Sequence, residues 1–440
     1  MSTRAILLFI TSLLFSAGML AQSAIVIEGA VVFDGVASKP QKNSVIVIEA
    51  GRITGFGPRK QVIIPEGAKR LNLKGKYVIP GLIEGHAEVP SPRDLLQMLA
   101  WGVTSVNCMF PSTAVAAEME RWTLQDTSRA PQIYATAPIF SVKGGISSGK
   151  EFPADPSVNR FPSTPEEARA EVRKVRASGI RRIVLAYDAM DWCGDSLPRM
   201  KKEVMEAIID EASKQKLFTS VHAPKLADAD EALDAGAMSL SRGIIDEFLD
   251  ASTIGTLLTR NDYYVTALSS YEFIADPDAF MKGALADKRF RASLAPAVLK
   301  EYTSAAYAEK VKAQYPKGAA VRTRLSVLRN NLMSILGNYV LLVMGSDLPA
   351  LPGIGAHLEM EYMVKAGMTP YQAVTAATTF GGQYLGAATK IGTIETGRQA
   401  DLVILDADPL ADIRNTRTIR TVIKHGRVFD PKQLLKAAKQ

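Results

Sequence analysis

Histidine and carboxylate side chains end three short apolar runs of this sequence. His86 closes "YVIPGLIEGH" and is followed two residues later by Glu88, His222 closes "LFTSVH", and Asp347 closes "LLVMGSD". Imidazole nitrogens and carboxylate oxygens bind catalytic zinc, which takes three protein ligands and keeps one position open for water. Three independent runs end in ligand-type residues, and this favours one shared site over three unrelated structural residues.

The other two histidines have different settings. His425 precedes Gly426 between two β-type runs, where a tight hairpin needs positive φ, and this predicts a turn residue. His357 opens the helical pattern "GAHLEMEYM", shortly after the run that ends in Asp347.

Eight β-type runs alternate with helical patterns and would position these side chains. The strand candidates are 78–86, 104–110, 132–140, 181–188, 217–222, 237–242, 263–269 and 341–347. The segment 271–338 is mostly helical and longer than one connection needs, so extra helices should lie between strands seven and eight. The alternation predicts an α/β fold with a (β/α)8 TIM-like barrel over 77–390, with its chemistry at the carboxyl ends of the strands. A doubly wound open sheet is the alternative, but no glycine-rich phosphate loop favours it.

Both ends of the chain have another character. The segments 24–76 and 391–430 consist of short β-rich runs punctuated by glycine, which indicates antiparallel strands. We predict that the two segments combine into one composite β-sandwich.

The N-terminus and the composition indicate location and partners. Residues 1–23 combine a lone Arg4, a short apolar run and a small-residue cleavage pattern, and they predict a signal peptide and a periplasmic or secreted protein. No later segment reads as a membrane span.

The net charge of +7 is scattered without interleaved aromatic residues, so we expect no nucleic-acid partner. Cys108 and Cys193 could form a disulfide or remain two buried thiols, and the sequence does not decide between these alternatives. The sequence does not indicate the oligomeric state either.

The chain resembles the amidohydrolase superfamily, in the branch with imidazolonepropionase-like and prolidase-like hydrolases. The matching segments are "VIPGLIEGHAE", "DAGAMSLSRG", "GSD" followed by "GAHLEMEYMVKAGMTPYQAVTAAT", and "IGTIETGRQADLVILDADPL". The resemblance spans essentially the whole mature chain. It implies hydrolysis of C–N bonds in amides, small peptides or cyclic amides, with one or two divalent metals that activate water and an aspartate, here Asp347, that moves the proton. His86, His222, Asp347 and His357 match the family pattern, and His357 is the candidate substrate contact.

Four positions depart from that pattern. Glu88 replaces the second histidine of strand one, Val184 stands where a bridging lysine is usual, Arg242 replaces the strand-six histidine, and Ile146 replaces a histidine of the loop after strand three. Near Val184, Asp188 is an off-register carboxylate. Because Val184 cannot bridge and a guanidinium cannot bind a cation, two metals are excluded from this hypothesis.

The residues that remain allow one divalent metal, with zinc expected, or none. His86, Glu88, His222 and Asp347 would be its ligands, and Arg242 would pair with Glu88 or Asp347 and stabilise an oxyanion. The first functional hypothesis is a C–N hydrolase for a small-molecule substrate. The second is an inactive relative that binds a small molecule or a partner in the cleft, and a metal-free isomerase or lyase is a third.

Overall fold

The computed structural model describes residues 24–88, 91–109, 112–125, 129–146, 160–194, 196–314, 318–348 and 351–439. The predicted signal peptide lies outside the described residues. Within them, none of the helices combines the length and the apolar character that crossing a bilayer requires. Cys108 and Cys193 are buried thiols.

Five strands form the first part of the described chain. They are β1 (Ile25–Val32), β2 (Gln41–Glu49), β3 (Arg52–Pro58), β4 (Lys69–Asn72) and β5 (Tyr77–Pro80). β1, β2 and β3 pair antiparallel, and β4 and β5 both lie parallel to β1. These glycine-punctuated strands are the N-terminal half of a mixed sheet.

Eight parallel strands follow and form the barrel. They are β6 (Leu82–Glu88), β7 (Val103–Met109), β8 (Gln132–Thr136), β9 (Arg182–Ala186), β10 (Phe218–His222), β11 (Ser239–Ser241), β12 (Tyr263–Val265) and β13 (Leu341–Val343). Each strand pairs with the next along the chain. The N–H of Gly85 donates to Met344 O at 2.9 Å and that of Asp347 donates to His86 O at 3.2 Å, so the first strand also meets the last.

Sixteen α-helices lie among the described residues. They are α1 (Pro92–Ala100), α2 (Thr113–Thr123), α3 (Pro165–Ala177), α4 (Lys202–Lys214), α5 (Leu226–Asp234), α6 (Ala251–Arg260), α7 (Leu268–Ala275), α8 (Pro277–Ala286), α9 (Lys288–Ser293), α10 (Pro296–Tyr302), α11 (Ala305–Gln314), α12 (Gly318–Gly337), α13 (Ile354–Lys365), α14 (Pro370–Ala376), α15 (Thr379–Tyr384) and α16 (Pro431–Ala438). The helices α7 to α12 are the extra helical segment predicted between strands seven and eight. Apolar side chains of the helices and of the outer barrel face share one large core.

Three C-terminal strands complete the mixed sheet. They are β14 (Leu402–Leu405), β15 (Ile419–Lys424) and β16 (Arg427–Phe429). β14 pairs antiparallel with β5, so the two chain ends form one sheet with the order β16-β15-β14-β5-β1-β2-β3 and β4 beside β1. Side chains of both ends share one apolar core. The fold class is therefore the predicted one, a TIM-like barrel with a composite β domain.

Several predicted strands are wrong in their extent; for example, the candidate 263–269 runs into α7, and the strand within 341–347 ends at Val343. The run 78–86 is divided at Gly81, with β5 in the mixed sheet and β6 in the barrel. A Cβ at Gly81 would overlap the side chain of Thr104, so glycine allows this close passage between the two sheets. His425 has φ +48° in the hairpin between β15 and β16, as predicted for a turn residue.

Candidate active site

His86 and Asp347 meet where the barrel closes. Asp347 follows β13 with φ +48°, and its Oδ1 lies 3.5 Å from His86 Nε2. A Cβ at Gly345 would lie 3.0 Å from the Cβ of His86, so glycine permits the last strand to approach the first this closely. Burial lowers the pKa of His86 despite the opposing charge of Asp347, and the imidazole is therefore neutral.

Arg242 holds the other oxygen of Asp347. It follows β11 with φ +73°, and its Nε lies 2.7 Å from Asp347 Oδ2. Its Nη2 donates to Ser270 Oγ at 2.8 Å, and its guanidinium carbon lies 5.4 Å from the ring centre of Tyr271. The pairing predicted between Arg242 and an acidic strand-end residue is confirmed, with Asp347 as the partner.

A second Asp–His pair lies at the neighbouring strand ends. His222 ends β10, and its Nε2 lies 3.2 Å from Asp188 Oδ2, two residues beyond β9. Asp188 also accepts from the N–H of Met190 at 2.7 Å and from Trp192 Nε1 at 3.5 Å. Burial opposes ionisation of Asp188, but the hydrogen bond and charge of His222 outweigh it and hold the aspartate pKa below its usual range. Because a carboxylate only accepts hydrogen bonds, His222 donates from Nε2 to Asp188. In the tautomer that this bond selects, Nδ1 is the acceptor nitrogen.

Tyr271 connects the two pairs into one site. Its ring contacts Arg242 on one side and lies 6.2 Å from the Trp192 ring, edge to face, on the other. Burial raises the Tyr271 pKa well above its ordinary value, so the hydroxyl is a neutral donor. Among the described residues, neither the Tyr271 hydroxyl nor His222 Nδ1 has a hydrogen-bond partner. Buried polar atoms without partners at one site are groups that a ligand or water would satisfy.

Two buried glutamates that the sequence analysis missed support this site. Glu84 accepts from the backbone and hydroxyl of Ser346 at 2.7 and 2.9 Å, and burial raises its pKa to about 8. Glu359 accepts from the backbone N–H groups of Ala267, Leu268 and Ser269 at 2.7 to 3.0 Å. These bonds fix the residues next to Asp347 and the start of the helix that carries Ser270 and Tyr271. The sequence signal that could have found them is an acidic residue within an otherwise apolar pattern, Glu84 in "LIEGH" and Glu359 in "HLEMEYM".

The predicted metal ligands do not form a metal centre. No three His, Cys, Asp or Glu side chains among the described residues are grouped so that they could hold a metal ion. His86 and Glu88 could bind one metal together only if side chains alternated regularly along β6 and both pointed to the same face. The pairing of β6 with β7 shifts register between Glu84 and Ala87, which interrupts that alternation. Arg242 places a permanent cation on Asp347, which opposes a metal ion on the same carboxylate. These residues therefore do not fit the expected divalent metal.

We expect Arg242→His to raise the affinity for divalent metal. The substitution removes the guanidinium and offers a neutral imidazole near His86 and Asp347. Elemental analysis after equilibration with zinc should show more bound metal than in the parent. Arg242→Met is the matched control, since it removes the charge without adding a ligand. Equal zinc content in all three proteins would contradict this interpretation of the Arg242 side chain.

An apolar group lies at the carboxyl ends of β7 and β9. Ile139, Val184 and Ala186 are buried together, with Met109 and Ile146 packed against them. Two of these, Val184 and Ile146, replace polar residues of the family pattern. Met109 and Val184 also share a small cavity with His86. The site therefore has a charged half and an apolar half.

His357, the candidate substrate contact, has its ring nitrogens bound within the protein. It lies in α13, fully buried, with Nε2 2.9 Å from Trp101 O and Nδ1 2.9 Å from Thr416 Oγ1. Burial lowers its pKa to about 3, so the imidazole is neutral. Its position after strand eight in the sequence suggested the site, but the helix turns this side chain toward α1 and the Ile413–Arg417 turn.

His357 should make the protein sensitive to acid. The folded pKa is about 3 and the unfolded value is about 6.5, so the unfolded chain takes up the proton first as the pH falls. The stabilisation is complete above pH 6.5 and is lost progressively toward pH 3, by about 2 kcal/mol at pH 5. His357→Gln, measured by urea unfolding at pH 5 and 7.5, should reduce this difference. If the free energy of unfolding differs between pH 5 and pH 7.5 by the same amount in His357→Gln as in the parent, His357 is not the group responsible.

The sequence that forms this barrel, composite sheet and strand-end site matches a known family. Residues 96–429 match the model of the Amidohydrolase family. The chain belongs to the amidohydrolase family, and its relatives include hydrolases that act on C–N bonds.

Individual relatives are distant. The chain is 24% identical over 400 residues to the 5-methylthioadenosine/S-adenosylhomocysteine deaminase of Symbiobacterium thermophilum, covering 83% of this chain and 81% of the relative. It is 25% identical to the ochratoxinase of Aspergillus niger over 60% of this chain and 49% of that one. The structure superposes on a Xaa-Pro dipeptidase with a TM-score of 0.73 at 21% identity, covering 93% of this chain and all of the other. At this identity the structural likeness shows the fold alone.

Proposed function

We propose that this protein hydrolyses an amide-type C–N bond of a small molecule and that Arg242 supplies the positive charge that a metal supplies in other members of the family. The observation that carries the proposal is the ion pair between Arg242 and Asp347 at the strand ends. Family membership supports the C–N chemistry, and the residue set that does not fit a metal supports the role of Arg242.

Arg242 is suited to bind a carbonyl oxygen. Asp347 and Ser270 fix the guanidinium on one side, and a fixed donor lowers the energy of an oxyanion without reorganisation. The Tyr271 hydroxyl is a second, neutral donor beside it. As attack proceeds, negative charge develops on the carbonyl oxygen and these donors stabilise it.

His222 is suited to be the base. In the tautomer that donates from Nε2 to Asp188, Nδ1 is an acceptor without a partner among the described residues. Asp188 then stabilises the imidazolium that forms when Nδ1 takes a proton from water. The oxygen of that water bonds to the carbonyl carbon. The intermediate then breaks its C–N bond, the nitrogen receives the proton from His222, and the products are a carboxylic acid and an amine. Asp347 was expected to be the base, but both of its oxygens are engaged, so we assign it to holding Arg242.

The test is turnover with and without a chelator. N-acyl amino acids, dipeptides including Xaa-Pro, and aryl amides are offered to the purified protein, and amine release is measured. We expect turnover that persists in a chelator and falls in His222→Gln. A requirement for a divalent ion would overturn the role assigned to Arg242.

A second function is favoured by one observation. Both oxygens of Asp347 are already bound, and such a closed ion pair also suits a cleft that binds without turnover. Saturable binding of the amides by calorimetry, together with no amine release at any pH, would identify the protein as a binding relative.

A further inference from the structure

A second buried guanidinium lies in the barrel interior, at the opposite end of the strands from the candidate active site. Arg182 is the first residue of β9 and is 6% exposed. Its Nε donates to Asn107 Oδ1 and its Nη1 to Tyr384 O, both at 3.0 Å. Its guanidinium carbon also lies 4.0 Å from the ring centre of Phe218 and 4.5 Å from that of Tyr384.

The charge of Arg182 is not neutralised by these contacts. An amide oxygen, a backbone carbonyl and two aromatic rings are all uncharged groups. Within the described residues, Arg182 has no carboxylate in ion-pair contact. The carboxyl group of Glu120 is near enough to interact with Arg182 electrostatically but makes no ion-pair contact with it. Because guanidinium stays protonated, one positive charge remains without a directly bound counter-charge in a place that water hardly reaches, which is costly.

A small cavity lies beside this charge. Its volume is about 10 Å³, and its lining includes Arg182, Ser220, Thr136, Met109 and His86. In the described part of the chain, Arg182 Nη2 and Ser220 Oγ are buried without a hydrogen-bond partner. Both groups can donate, and the volume admits one occupant of about the size of a water molecule.

We propose that this cavity binds one monatomic anion, of the chloride type, between Arg182 Nη2 and Ser220 Oγ. An anion accepts from both donors and also neutralises the guanidinium, whereas water satisfies the donors and leaves the charge. Chloride is somewhat larger than water, and the flexible thioether of Met109 on the cavity wall can adjust to it. The cavity reaches His86 at the edge of the candidate active site, but the two donors Arg182 and Ser220 have no role in the catalytic proposal, so the anion site does not depend on it.

Crystals grown with bromide in place of chloride give the direct test. We expect one anomalous peak within hydrogen-bonding distance of both Arg182 Nη2 and Ser220 Oγ. In solution, chloride should raise the melting temperature by about 3 °C over gluconate at equal ionic strength, because an ion that binds only the folded protein stabilises it.

Two variants relate the effect to this cavity. Ser220→Ala keeps the charge and should weaken chloride binding about tenfold, as expected for the loss of one hydrogen bond to a charged group. Arg182→Met should abolish the chloride effect, and Ser220→Ala covers the case in which Arg182→Met does not fold. An ordered water without anomalous signal would overturn the proposal. An equal chloride effect in the parent and Ser220→Ala would also overturn it.

Discussion

Arg242→Met is expected to reduce turnover at least about 100-fold, which is the usual effect of removing one oxyanion donor. The same change should lower the free energy of unfolding by about 3 kcal/mol, because Asp347 is left buried with a charge and no cation. The measurements are initial rates on an amide substrate and urea unfolding at pH 7.

Two further variants make this result specific. Arg242→Lys keeps the charge but not the planar fork that reaches Asp347 and Ser270 together, so it should recover stability more than rate. Arg70→Met removes an arginine from an exposed pair with Glu28 and should change neither quantity by much. If Arg242→Met retains parental rates, Arg242 does not touch the reacting carbonyl.

Glu359→Ala is expected to lower the free energy of unfolding by about 4 kcal/mol or to prevent folding. The side chain is fully buried and is the acceptor for three consecutive backbone N–H groups and the Ser269 hydroxyl. Alanine would leave these donors unsatisfied, at about 1–3 kcal/mol each before relaxation. Thermal and urea unfolding would measure the loss.

The control for Glu359 is an exposed glutamate of another helix that accepts no such backbone hydrogen bonds from the described residues. Glu309→Ala on the exposed face of α11 should stay within about 0.5 kcal/mol of the parent. Glu359→Gln keeps one oxygen and should lie between the two. A Glu359→Ala protein as stable as Glu309→Ala would show that the turn at 267–269 does not depend on this carboxylate.

The sequence was sufficient for the barrel because the required signals are local. Alternation of apolar strands and helical patterns identified all eight barrel strands, and the length of 271–338 identified the extra helices. The positions of ligand-type residues at strand ends likewise identified His86, His222 and Asp347, and the family resemblance drew attention to Arg242. Each of these lies at the end of its own strand, so a barrel brings them together without further information.

The features that the sequence did not decide depend on packing. His357 is a helical residue, and its position in the sequence does not tell which neighbour its ring faces. Glu88 was assigned by its spacing from His86, which the register shift in β6 makes unreliable. Tyr271 and Glu359 were missed because their roles depend on contacts between α7 and α13, residues about ninety positions apart.

The pairing of β5 with β14 has a consequence for the order in which the chain acquires structure. These strands hydrogen-bond although more than 300 residues separate Tyr77–Pro80 from Leu402–Leu405. During synthesis, β5 therefore has an open edge until nearly the entire chain has left the ribosome. Such a non-local contact forms late and slowly, and an unpaired apolar edge is a place where nascent chains associate. Truncation before β14 should therefore yield aggregates rather than an isolated barrel, even though every barrel strand would be present.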